Sequence, residues 1–273
     1  MYPGDLLIIG GAEEKCHGAE VLSKFVELAG GSESIIGILP TASEIPDDVS
    51  SDYVKTFGKL GVKDLHVLNI KHRREAEDPE VCRIVDSLTA VFISGGDQSR
   101  LADIIGNTKL HMKLAERWKE GMVLAGTSAG ASIMAKHMIV ASDMKQNEDK
   151  LKIELGRGFG FMDYVLIDQH FSQRARFDRL LSAIADNNEI IGIGIDENTA
   201  ILVRNNEFEV YGEHQVLVMD GKSSDYIDIS TSKNGSEELT ISGFRLHTLT
   251  AGYRFDLTGR KLLLKKGVSQ NED

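Results

Sequence analysis

The feature that most constrains this chain is an alternation that runs through its first two thirds. Short, mainly apolar runs occur at Leu6–Ile9, Ile35–Leu39, Leu65–Ile70, Ala90–Ile93 and Met122–Ala125, each bounded by Gly, Pro, Ser or charged residues. Brief runs of this kind are the pattern of strands buried on both faces. Between them lie segments with helical spacing, such as Ala19–Ala29, which stops at Gly30-Gly31. Strand alternating with helix requires right-handed crossovers, which place helices on both faces of a mostly parallel sheet. The sequence therefore predicts an α/β fold.

The texture changes near residue 200. Ala200–Val203, Glu207–Tyr211, Gln215–Met219 and Tyr226–Ile229 are short, and Asn205-Asn206 and Asp220-Gly221 supply turn signals between them. This predicts an antiparallel continuation of the sheet with a tail of hairpins, a β-rich extension over about 205–273. No Pro- or Ser-rich linker and no internal repeat divides the chain, so residues 1–273 read as a single domain.

Composition narrows the function. With 273 residues, 41% hydrophobic and 27% charged, the chain is ordinary for a soluble globular protein and can bury a sizeable core. Its two cysteines, Cys16 and Cys82, are far apart without ligand spacing, which fits a reducing, cytoplasmic location rather than a disulfide framework or zinc site. The N-terminal stretch lacks the pattern of a signal peptide, and no apolar run approaches the roughly 20 residues of a membrane span. A formal net charge of −11 argues against a nucleic-acid partner and is compatible with a cationic ligand.

Chemistry concentrates at strand ends, where open α/β sheets gather their ligands. In "VLAGTSAGASIM", residues 123–134, Ser128 fits the pattern G-x-S-x-G. It follows a predicted strand and opens a helix predicted over Ala129–Lys136. Small neighbours there allow a strained turn that exposes the hydroxyl beside free backbone N–H groups. A serine at a tight structural junction is the other reading, and the strand–turn–helix setting favours a nucleophile. Ser94-Gly95-Gly96-Asp97-Gln98 ends another apolar strand, and its glycine N–H groups can share an oxyanion hole or form only a turn. No phosphate loop is present, and Gly10-Gly11 lacks the later glycine of a dinucleotide fingerprint.

A serine needs a base oriented by an acid. Of the eight histidines, His17, His66, His72, His137, His214 and His247 lie in helix-like, surface-like or late β segments, and His111 opens a Lys/Glu-rich helix. His170 differs, because it closes the apolar run from Tyr164 and precedes a polar helix start. Glu197, after Ile191–Asp196, is the candidate acid, with Asp196 and Asp168 as competitors. The order Ser, His, acid differs from that of the α/β-hydrolases, chymotrypsin and subtilisin.

Assembled, the stretches "GGAEEK" (10–15), "SGGDQ" (94–98), "GTSAGA" (126–131), "DQHFSQRARFDRL" (168–180) and "GIDENTA" (194–200) closely resemble the cyanophycinases. These are serine-type exopeptidases of the class I glutamine amidotransferase-like fold, related to peptidase E. The likeness spans about residues 4 to 265. It implies Ser128 as nucleophile, His170 as general base and Glu197 as its orienting acid, with Gly95, Gly96 and Ala129 forming the oxyanion hole. It further implies that Gln98, Asp168, Gln169, Arg174, Arg176 and Arg179 bind substrate. The family's substrate is cyanophycin, a polyaspartate with arginine on each β-carboxyl, released as β-Asp-Arg dipeptides. Three arginines within six residues are otherwise a solvated helix face, or carboxylate binders through bidentate pairs. The resemblance also implies a homodimer, and neither it nor the residues call for a metal or organic cofactor. A peptidase E-like dipeptidase for Asp-X peptides, or an inactive binding module on the same scaffold, are the alternatives.

Overall fold

The computed structural model describes residues 3–16, 18–143, 152–231 and 237–264. The first half alternates as β1 (Leu6–Ile9), α1 (Glu20–Ala29), β2 (Ile35–Leu39), α2 (Pro46–Lys59), β3 (Asp64–Val67) and α3 (Pro79–Ser87). It continues with β4 (Ala90–Ile93), α4 (Gln98–Ile105), α5 (Lys109–Lys119), β5 (Val123–Thr127) and α6 (Ala129–Ser132). Then come β6 (Ala135–Asp143), β7 (Lys152–Arg157), β8 (Met162–Gln169), α7 (Phe177–Asp186) and β9 (Ile191–Ile195). The chain goes on through β10 (Thr199–Arg204), β11 (Glu207–Gly212), β12 (Val216–Asp220), β13 (Tyr226–Thr231) and β14 (Glu237–Ser242). Last are β15 (Arg245–Leu249), β16 (Arg254–Asp256) and β17 (Lys261–Leu263).

Two mixed sheets result. The larger has nine strands in the order β17-β16-β11-β10-β1-β5-β4-β2-β3. Its β1, β5, β4, β2 and β3 are parallel, as the alternation predicts, and β10, β11, β16 and β17 extend it antiparallel from β1. The smaller has six strands in the order β15-β12-β9-β8-β6-β7, with β6, β8 and β9 parallel. β13 and β14 form a separate hairpin.

Period-two alternation assigns the faces. On the large sheet Leu7, Ile9, Ile36, Ile38, Phe92 and Ala125 pack with Leu22 and Phe25 of α1 and Tyr53 and Phe57 of α2. The alternate residues, Leu6, Ile8, Leu39, Val91, Ile93 and Leu124, join a core with Leu101, Leu114 and the inner residues of the small sheet, Val165, Ile167, Ile193 and Val218. α7 covers the other side of the small sheet through Leu180, Ala183 and Ile184. Both predicted strand-rich regions are present, and Asn205-Asn206, with φ of 48° and 65°, makes the two-residue turn between β10 and β11.

Three details differ from the sequence reading. The strand expected over Leu65–Ile70 is Asp64–Val67 at the edge of the large sheet, and it is exposed or half-buried because only β2 pairs with it. The helix predicted over Ala129–Lys136 lasts one turn, and β6 begins at Ala135. Ala131, Ile133, Met134 and Ala135 are buried, and the carbonyls of Ile133 and Met134 accept the N–H groups of Phe159 and Phe161. Apolar surroundings on all sides leave no solvent face for a longer helix. The C-terminal strands also do not all extend one sheet, because β12 and β15 join β9 in the smaller one. Gly192 and Gly194 let β9 lie close beneath its cover: a Cβ on them would lie 2.4 Å from Ile184 of α7 and 2.5 Å from Phe171, which precedes that helix.

Phe92 is fully buried, with its ring 4.6 Å from Tyr53, 5.3 Å from Phe57 and 5.4 Å from Phe25, centroid to centroid. Phe92→Ala should therefore lower unfolding free energy by about 3–5 kcal/mol, read as a fall in the denaturant midpoint. A loss below about 1 kcal/mol would contradict this packing.

Candidate active site

β1 ends at Ile9 and runs into Gly10-Gly11, and three successive carbonyls there collect three other loops. Ile9 O accepts the Ser128 N–H at 3.1 Å, Gly10 O the His170 N–H at 2.8 Å, and Gly11 O the Asn198 N–H at 2.9 Å. The donors follow β5, β8 and β9 and so come from both sheets. Ser128, His170 and Asn198 have φ of 53°, 48° and 49°, so each strand turns sharply where it meets this loop. For a residue other than glycine such backbone costs about 1–3 kcal/mol, which surrounding contacts must offset.

Those turns bring three side chains into line. Ser128 Oγ lies 3.0 Å from His170 Nε2, and His170 Nδ1 lies 2.6 Å from Glu197 Oε1. Nδ1–H donating to the carboxylate leaves the Nε2 lone pair for the serine proton. A hydroxyl, base and acid in this order can generate an alkoxide as it attacks a carbonyl. Of the acids weighed from sequence, Glu197 is the one on the ring. Asp196 is buried and accepts the Ser172 N–H at 2.9 Å, and Asp168 is engaged with arginines. Burial foremost holds the His170 pKa below the ordinary histidine value, while the Glu197 hydrogen bond raises it and the charge of Arg174 lowers it. The ring is therefore neutral at pH 7.

Free backbone donors lie in the loop beside the serine and in the residue after it. Among the described residues, the N–H groups of Gly95, Gly96 and Ala129 donate to no other protein group. Gly95 packs against the serine so closely that a Cβ would sit 3.1 Å from Ser128 Cβ. Asp97 caps α4 through the Ser99 N–H at 2.8 Å, which fixes the loop carrying both glycines.

The residues implied to bind substrate divide into two groups. Asp168 is 1% exposed and accepts from Arg176 at 3.0 Å, from Arg179 Nε at 2.9 Å and again from Arg179 Nη2. Arg176 also donates to the Gln169 carbonyl at 2.5 Å. These two guanidinium groups are tied to the fold, whereas Arg174 is exposed and has no carboxylate partner among the described residues. Gln169 is buried, with Oε1 3.3 Å from Ser128 Oγ. Gln98 donates to the Ile139 carbonyl at 2.7 Å and so links α4 to β6. His111 is spent on the Phe159 carbonyl at 2.9 Å, and His17 lies outside the described residues.

Sequence reasoning missed Glu13 and Thr127. Glu13 is buried and accepts hydrogen bonds from Tyr53 Oη and, at 2.5 Å, from Thr127 Oγ1. A carboxylate inside "GGAEEK", next to a buried strand end, was the available signal.

The profile of Peptidase family S51 matches residues 6–211. The chain belongs to this family. A cyanophycinase of Geminocystis herdmanii is 39% identical over 92% of this chain and 93% of its own length. One of Trichormus variabilis is 35% identical over 94% of this chain and 87% of its own. The crystal structure of a peptidase from an acI-B1 Actinobacterium superposes with a TM-score of 0.67 at 26% identity, covering 91% of this chain and 97% of that one. The paired sheets are thus the frame of an S51 peptidase.

Gly11 has φ of +100°, and a Cβ there would lie 2.4 Å from the His170 ring. Gly11→Ala should therefore displace the imidazole and lower peptidase turnover on the order of 10²-fold while the fold persists. Turnover within about threefold of the parent, with an unchanged circular-dichroism spectrum, would refute that placement.

Proposed function

We propose that this chain is a cyanophycinase: a serine-type exopeptidase that hydrolyses cyanophycin to β-Asp-Arg dipeptides through an acyl-enzyme. The reading rests on the hydrogen-bonded series from Glu197 through His170 to Ser128, and the curated cyanophycinases similar to this chain supply the substrate. His170 Nε2 takes the Ser128 proton as Oγ attacks the scissile backbone carbonyl. The oxyanion is met by N–H groups of Ala129 and Gly95 or Gly96, each donor contributing about 3 kcal/mol to the transition state. The imidazolium, steadied by Glu197, protonates the departing amine. Water, deprotonated by the same ring, then hydrolyses the acyl-enzyme and restores Ser128.

Each substrate unit offers a carboxylate and a guanidinium. Arg174 is the available cation for the carboxylate, and Gln98 and Gln169, the latter 3.3 Å from Ser128 Oγ, are proposed further contacts, while Asp168 holds Arg176 and Arg179. The chain's acidic balance, −11, is compatible with acidic side chains meeting the substrate's guanidinium groups. A homodimer and a cytoplasmic location belong to the same proposal. The resemblance supports both, and two unpaired cysteines, Cys16 exposed and Cys82 half-buried, fit the location.

Ser128→Ala should fold and release no product from purified cyanophycin, while the parent yields β-Asp-Arg by mass spectrometry. Near-normal turnover in the variant would end the nucleophile assignment, and cleavage of α-linked Asp-X dipeptides in place of cyanophycin would end the substrate assignment.

The acid limb of kcat/KM should follow the free enzyme's His170, active when neutral. Arg174 lowers that pKa, so Arg174→Gln should raise it and move the limb to higher pH by roughly a few tenths of a unit. Because Arg174 is exposed, the shift should shrink at high salt. A limb that stays put at low salt, or moves to lower pH, would contradict the coupling.

A further inference from the structure

Glu13 is a buried acid for which the proposed chemistry has no use. It is 6% exposed, and among the described residues no ion pair reaches it. Lys15 sits over the Tyr53 ring, 4.1 Å from its centroid, and not on the carboxylate. A buried carboxylate without a cation is costly unless hydrogen bonds replace its water. Here two hydroxyls do so. Tyr53 Oη, from α2, donates to one oxygen, and Thr127 Oγ1, the last residue of β5, donates to the other at 2.5 Å. Tyr53 and Thr127 are 4% and 3% exposed, so water does not compete for either bond. Burial foremost, and then the Glu13 charge, push the Tyr53 pKa well above its ordinary value, so the phenol stays a donor.

The placement matters because Thr127 immediately precedes Ser128. Thr127 lies opposite Ile9 in the β1–β5 register, and the backbone then turns to φ 53° and ψ −113° at Ser128. The same segment that carries Glu13 carries Gly11, which seats the His170 ring. One stretch, 9–13, thus touches the serine from its backbone side, through Ile9 O, and from its neighbouring side chain, through Glu13. We propose that Glu13 is a positioning residue for the peptidase reaction: through Thr127 Oγ1 it fixes the turn that aims Ser128 Oγ at His170. It touches neither substrate nor reacting atoms. This rests on the reading of Ser128 as nucleophile.

The test uses the full chain and four variants: Thr127→Val, Thr127→Ser, Glu13→Gln and the Glu13→Gln/Thr127→Val double. Three readouts apply to each: the rate at which a fluorophosphonate labels Ser128, kcat and KM on cyanophycin, and the melting temperature. Assays are run well below every melting point. Thr127→Val and Glu13→Gln should each slow labelling and lower kcat by about 10- to 100-fold, with KM within about twofold. Thr127→Ser, which keeps the hydroxyl, should stay within about threefold of the parent. The double variant should be no worse than its poorer single parent, since both changes break one contact.

Labelling and kcat near parental values in both single variants would overturn the proposal. So would a Thr127→Ser variant as impaired as Thr127→Val, or losses that multiply in the double. If Glu13→Gln does not fold, the valine–serine pair at 127 decides alone. A parent chain that fails to react with the fluorophosphonate would overturn the nucleophile assignment and this inference together. A parent that reacts alongside variants that react equally would overturn the inference alone.

Discussion

Everything at the candidate site hangs from three adjacent carbonyls. Ile9, Gly10 and Gly11 accept the N–H groups of Ser128, His170 and Asn198 in that order, at 3.1, 2.8 and 2.9 Å. Each bond fixes a loop at the end of a different strand, so register along three residues of β1 and its continuation becomes register among three functional side chains. Hydrogen bonds between buried amides are individually modest, about 1 kcal/mol net, but leaving one unmade costs more. That asymmetry lets the site hold three positive-φ residues at once. It also explains why the loop contains two glycines: the carbonyls must approach the incoming strand ends, and a side chain at residue 11 would collide with the imidazole.

Electrostatics adds a second layer. Asp168, buried beneath the turn that follows β8, gathers Arg176 and Arg179 and leaves Arg174 outside. A buried carboxylate with one guanidinium is often no more stable than an apolar substitute, whereas leaving it unpaired is severely destabilising. Two guanidinium groups on one carboxylate leave positive charge close to His170, in keeping with a base held neutral by burial and by Arg174 and Arg176.

Much of this was legible in the residues. Apolar runs with no polar alternation identified β1, β2, β4 and β5 because a parallel strand is buried on both faces. Asn205-Asn206 identified a hairpin because those residues tolerate positive φ. Ser128, His170 and Glu197 stood out because each follows such a run, and a polar residue there faces the ligand end of a sheet. The choice of Glu197 over Asp196 was not legible from spacing: adjacent residues point to opposite sides of the turn, and tertiary bonds decide which meets the ring. The split into two sheets was equally hidden. It depends on which distant strands pair, β12 with β9 and β15 rather than with β11, and local pattern does not encode that choice. Glu13 was overlooked because an acid near a chain start reads as surface, and its two hydroxyl partners are 40 and 114 residues away.

The division between sheets has a consequence for when the molecule is armed. Ser128 rides on the larger sheet, while His170 and Glu197 follow strands of the smaller one. A folding intermediate with every strand formed but the two sheets not yet docked would hold a serine with no base. Such a chain is chemically inert toward its neighbours and toward itself. On the proposed assignment, hydrolytic competence therefore waits on the docking of the two sheets, a safety catch built into the architecture.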